Sequence, residues 1–130
     1  MPAKTRVAVI GVGSLGKEHA RIYAQLAAEG QVEFAGVLDS AAESASRVAG
    51  RFGVRAFTRL EEIAAAADAF SIVTPTLTHH ELASHLLKAG KHLLVEKPMT
   101  TTAEQAAELV TLARQHGSIL QVGHVERFNP

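Results

Sequence analysis

Two short stretches and one acid carry side chains spaced for chemistry. The chain's apolar run Arg6 to Ile10 (RVAVI) leads straight into Gly11-Val12-Gly13-Ser14-Leu15-Gly16, a G-x-G-x-x-G. In such a loop the first glycine permits a tight turn, and the second lets a pyrophosphate meet the backbone. The third lets the next helix pack close on the strand. Exposed amides and the positive helix end then hold the phosphate charge. About 20 residues further on, where a second apolar run ends, stands Asp39. A carboxylate there can bind a ribose diol. The third feature is His92-Leu93-Leu94-Val95-Glu96-Lys97-Pro98. Glutamate and lysine are depleted in strands and proline cannot join a ladder, so the strand is expected to stop at Val95.

Lys97 is the candidate catalytic residue. At the mouth of a dry cleft, an ammonium polarises a hydroxyl or stabilises a developing alkoxide. Oxidation of an alcohol by a nicotinamide needs that help, plus a base for the proton. The dipeptide alone also reads as a surface ion pair of Glu96 and Lys97. Another apolar run, Ala69 to Val73, ends in Thr74-Pro75-Thr76 and leads to His79 and His80. His80 and His85 lie five positions apart, about 140° round a helix, whereas a zinc-binding H-E-x-x-H needs four. No metal site is expected. The histidines read as solvated or internally paired, except His79, which opens a helix at the chemical edge.

These residues need elements to position them. Strands are expected at Arg6 to Ile10, Val32 to Leu38, Ala56-Phe57, Ala69 to Val73, His92 to Val95 and Ser118 to Val122. Helical spacing of Leu15, His19, Ile22, Tyr23 and Leu26 predicts a helix over 14–29, ended by Gly30. Ser40 with Glu43, Thr58 with Glu61, and Thr78 with Glu81 read as capping boxes. The Thr101-Thr102 and Glu104-Gln105 pairs read as two more, opening a helix whose inner stripe is Ala106, Leu109, Val110 and Ala113. Strands separated by helices need crossovers and therefore pair in parallel. The expected fold is α/β, a Rossmann-type doubly wound, mainly parallel six-stranded sheet with helices on both faces. Gly11, Asp39, Thr74 and Lys97 each follow a strand, so all fall on the carboxyl edge where such sheets bind ligands.

The bulk numbers set limits. With 130 residues, 47% of them hydrophobic, the chain is long enough for one domain with its own core. Thirteen basic and thirteen acidic side chains leave no net charge to favour nucleic acid. The absence of cysteine excludes disulfides and thiolate chemistry. No apolar run is long enough to span a membrane, so a cytoplasmic protein is expected. The cofactor expected is NAD, because Asp39 repels a 2′-phosphate and no arginine follows it directly. NADP is the second candidate.

Together, GVGSLGKEHA, Asp39, TPTLTHH, AGKHLLVEKP and GHVERFNP resemble the Gfo/Idh/MocA oxidoreductase family over essentially the whole chain. The resemblance implies hydride transfer between NAD(P) and a hydroxyl or carbonyl carbon of a sugar, cyclitol or nucleotide-sugar. It implies that Gly11, Val12, Gly13, Ser14, Leu15 and Gly16 hold the pyrophosphate and Asp39 the adenosine ribose. By the same resemblance Thr74, Pro75, Thr76 and His79 line the adenine and ribose side. Glu96 would face the nicotinamide ribose, and Lys97 the substrate hydroxyl. His124 and Arg127 would lie toward the substrate. Thr76 stands where the family's T-P-N motif has asparagine.

Members of that family continue into a second domain, so the expectation for this chain is the nucleotide-binding part alone. It should bind cofactor with little or no dehydrogenase activity, and could self-associate through surface the second domain covers. Two other readings compete: a sensor of NAD or nucleotide-sugar without redox chemistry, and a methyltransferase using S-adenosylmethionine. A sensor has no use for Lys97. The three-glycine spacing and the Glu-Lys-Pro turn argue against the methyltransferase.

Overall fold

The computed structural model describes residues 4–123, so His124, Arg127 and the rest of the GHVERFNP segment beyond Gly123 lie outside the described residues. Six apolar runs form strands: β1 Arg6–Ile10, β2 Glu33–Leu38, β3 Arg55–Phe57, β4 Ala69–Ile72, β5 His92–Glu96 and β6 Leu120–Gly123. Helices α1 Ser14–Ala28, α2 Ala42–Phe52, α3 Leu60–Ala66, α4 His79–Lys88 and α5 Ala103–Gln115 lie between them. Each helix separates its neighbouring strands too far for a hairpin, and every ladder is parallel. The strand order is β3-β2-β1-β4-β5-β6. The chain winds outward from β1, then returns to β1's other side and winds the opposite way. That reversal between β1 and β4 opens a crevice at the carboxyl ends.

Alternation along β1 shows how both faces are covered. Val9 joins Val12, Ala20, Val37, Val48 and Ala49 under α1 and α2. Ala8 and Ile10 point the other way, to Phe70, Ile72, Leu86, Leu93 and Leu109 under the remaining helices. At the amino edge, Asp68 clamps β4 to β1. Its carboxylate accepts from the Arg6 guanidinium at 2.8 Å and the Arg6 amide at 3.1 Å.

Several local expectations need correction. Ser40 does not cap α2; no side chain does, and the Ala41 amide donates to Asp39 Oδ1 at 2.8 Å. The helix opens one residue later than expected, so Ala41 rather than Ser40 holds the cap position. The Thr58 hydroxyl contacts Glu62 rather than an amide of α3. Thr78 turns back to Thr74 and the Pro75 carbonyl, inside a 3-10 turn at Thr76–Thr78 that feeds α4. One of the two α5 caps forms, with Thr102 accepting from the Gln105 amide at 3.1 Å. Thr101 bonds the Gln105 side chain instead. Ile22 and Val110, placed inward by helical spacing, are 46% and 37% exposed. Strand β5 runs one residue past Val95, because Glu96 pairs with Gly123 of β6 and its side chain finds a buried partner. No described helix is long and apolar enough to cross a membrane.

Candidate functional site

Glycine geometry builds the site from its floor. Gly11 has φ of 96°, and its amide donates to the Leu38 carbonyl at 2.8 Å. A Cβ at Gly11 would strike the Val73 carbonyl, and one at Gly16 the Gly11 carbonyl. Close packing of strand, loop and helix demands both glycines. Gly13 differs, since nothing lies within 4 Å of where its Cβ would stand. It opens onto solvent beside the start of α1, which no side chain caps. The first-turn amides near Ser14 and Leu15 therefore lack an intrahelical acceptor, and an anion there would satisfy them. Val12 is fully buried, anchoring the loop from below.

A cleft of about 800 Å³ lies at this edge. Of the residues singled out from the sequence, Gly11, Gly13, Asp39, Thr74 and Pro75 line it, with apolar walls from Ala45, Phe57 and Leu82. Asp39 sits at the end of β2 with one carboxylate oxygen on the Val12 amide at 2.8 Å and the other on Ala41. The carboxylate is thus tied to the glycine loop, on the flank where a ribose diol would lie. Thr76 is half-buried in the 3-10 turn, and Lys97 is exposed at the rim beyond β5. The Lys97-Pro98 bond is cis.

Two residues expected to face a ligand are turned inward. His79 is 1% exposed. Its Nε2 lies 2.8 Å from the Thr74 carbonyl, and its Nδ1 3.0 Å from that of Met99. It ties the Thr74-Pro75 loop to the turn after Lys97 instead of lining the cleft. Glu96 is 6% exposed, with Oε2 on His19 Nε2 at 2.9 Å. A Cβ at Gly123 would come within 2.5 Å of that carboxylate, so the glycine makes room for it. His19 Nδ1 meets Ser71 Oγ at 2.9 Å, and Ser71 meets the Tyr23 hydroxyl at 2.6 Å. Burial pushes the Tyr23 phenol up, against the opposing pull of its Ser71 bond.

Sequence reasoning missed this four-residue chain. His19 and Tyr23 were legible only as members of a helical stripe, and Ser71 only as part of an apolar run. The overlooked signal was polar groups at core positions, which must find one another when buried. His80 behaves as expected of a partnered surface histidine, 3.4 Å from Glu108. No cluster of three His, Cys, Asp or Glu side chains able to hold a metal occurs among the described residues.

The arrangement can hold an extended anion: a diol against Asp39, linked phosphates over Gly13 and the start of α1, and a reactive group near Lys97. Residues 5–124 match the GFO_IDH_MocA family, described as an oxidoreductase family with an NAD-binding Rossmann fold. UDP-N-acetylglucosamine 3-dehydrogenase of Acidithiobacillus ferrooxidans is 42% identical over 96% of this chain and 38% of its own length. Its solved structure superposes with a TM-score of 0.89, at 41% identity, over 99% of this chain and 41% of that one. GenD2 from gentamicin A biosynthesis, solved in complex with NAD, gives 0.86 at 33% identity over 95% of this chain and 35% of GenD2. Inositol 2-dehydrogenase of Rhizobium meliloti is 32% identical over 96% of this chain and 37% of its own. The chain thus spans about two fifths of the length of these relatives.

Proposed function

This chain belongs to the Gfo/Idh/MocA oxidoreductase family, and from that premise we propose that it is the cofactor-binding domain of an NAD-dependent dehydrogenase. The substrate is a hydroxyl carbon of a sugar, cyclitol or nucleotide-sugar. Likeness to the UDP-N-acetylglucosamine 3-dehydrogenase favours the nucleotide-sugar.

One observation carries the reading. The glycine loop and Asp39 stand on one side of the β1–β4 reversal and Lys97 on the other, all at the carboxyl edge. The residues fit the cofactor: Gly13 leaves an open surface where a side chain would obstruct, and α1 offers uncapped amides. Asp39 would accept from the adenosine ribose diol, and its charge would disfavour a 2′-phosphate. Ala45, Phe57 and Leu82 would give a flat base an apolar wall. When bound, the nicotinamide supplies the acceptor for a hydride. Lys97 would hold its ammonium on the substrate oxygen and stabilise negative charge as the hydroxyl loses its proton. Family resemblance would put His124 and Arg127 toward the substrate. These 130 residues are expected to bind NAD.

Calorimetric titration with NAD, NADP, ADP and S-adenosylmethionine tests this directly. NAD should bind more tightly than NADP, ADP more weakly than NAD, and S-adenosylmethionine not at all. Absence of NAD binding, or tight S-adenosylmethionine binding, overturns the proposal.

A further inference from the structure

We propose that His19 is a positioning residue: it locks the Glu96 carboxylate inward and so sets the Lys97 turn for the nicotinamide half of the cofactor. The inference rests on reading the cleft as a dinucleotide site. His19 belongs to α1, the helix whose first turn would receive the phosphates. Glu96 is the last residue of β5, immediately before Lys97. Their 2.9 Å contact therefore joins the phosphate-binding helix to the strand end across the β1–β4 reversal. Dinucleotides span that reversal, with the adenosine half on the β2 side. The bond thus lies under the other half.

The imidazole is held from both edges. Ser71 Oγ sits 2.9 Å from Nδ1, and Tyr23 Oη sits 2.6 Å from that oxygen. His19 and Glu96 are each 6% exposed and Ser71 is fully buried. One ordering of hydrogens satisfies the whole chain. Tyr23 donates to Ser71, Ser71 donates to Nδ1, and the Nε2 hydrogen goes to Glu96.

Rotating Glu96 outward toward a ribose would strip His19 of its acceptor inside the core, at considerable cost. The carboxylate is also packed against Gly123 of β6, where a Cβ would collide with it. Glu96 therefore works as an internal brace, and the cleft receives the turn that follows it. The bond to His19 engages Oε2, so the brace stands beside the ribose-facing role that family resemblance suggests for Glu96. A purely structural cluster would support both halves of the site alike, whereas a brace under the Lys97 turn supports one.

Binding of NAD and of ADP to His19→Ala, His19→Gln and Ser71→Ala separates these alternatives. Without the bond, the turn spends only a fraction of its time in the competent geometry, and apparent affinity falls by that fraction. His19→Ala should lose about tenfold in NAD affinity while ADP affinity stays within about twofold. His19→Gln, whose amide can still donate to Glu96, should recover most of the loss. Ser71→Ala leaves the ring free to rotate and should show a smaller loss with the same selectivity. Equal loss for both ligands, or no loss for either, overturns the inference while leaving the dinucleotide site standing. If His19→Ala does not fold, the selectivity of Ser71→Ala and the near-normal binding of His19→Gln decide it. A wild-type chain that binds neither NAD nor ADP removes the underlying reading and this inference together.

Discussion

Asp39 accepts the Val12 amide at 2.8 Å, so the acid expected to hold a ribose also fastens the glycine loop to the end of β2. Its second oxygen receives the Ala41 amide at the approach to α2. One carboxylate thereby fixes two segments of the cleft.

Asp39→Ala should therefore do more than alter cofactor preference. Stability should fall by about 1–2 kcal/mol, chiefly from the part-buried Val12 amide. NAD affinity should drop, while NADP affinity drops less because the repulsion of the 2′-phosphate is gone. Urea unfolding and paired titrations check both effects. Asp39→Asn, which keeps one acceptor oxygen, should lose less stability than alanine.

The glycines separate by what surrounds them. Gly16→Ala puts a methyl group against the Gly11 carbonyl and should cost about 2–3 kcal/mol or prevent folding. Gly13 has φ of −68°, a value alanine adopts freely, and open space beside it. Gly13→Ala should leave the melting temperature unchanged or slightly higher. Its NAD affinity should nonetheless fall at least about tenfold, since the methyl group stands where the pyrophosphate approaches.

Acid stability should depend on Asp68. The Arg6 guanidinium, then the Arg6 amide, hold its carboxyl at about 2 against an ordinary 3.8. A depressed native value stabilises the fold above the ordinary range, and that contribution disappears as pH falls from about 4 to about 2. Both side chains are 42% exposed, so the effect should be small and weaken in salt. Asp68→Asn should flatten stability over that window in urea unfolding at stepped pH. NAD binding should not change, because the pair sits at the opposite edge of the sheet from the cleft.

Alkaline stability should depend on Tyr23. Its phenol is raised above the ordinary 10.0, chiefly by burial. A raised native value means the contribution is complete below the ordinary range and is lost as pH climbs through the native value. Tyr23→Phe should cost about 1 kcal/mol at neutral pH through the lost Ser71 bond. It should also remove part of the alkaline decline in a thermal unfolding series.

The sequence by itself determined the parallel sheet, the glycine loop and the edge proposed to carry the chemistry. Those depend on short-range information: apolar runs, helical periodicity, and glycines needed where backbones meet. Helix starts were less legible, because α2 opens at Ala42 with Ala41 at the cap position, one residue beyond Ser40. Tertiary structure alone decided which way His79 and Glu96 face. Their partners lie far along the chain: Glu96 is 77 positions from His19, and His79 is 20 from Met99. A buried polar side chain takes whatever acceptor the packed sheet brings to it. That juxtaposition exists only once α1, β4 and β5 are side by side.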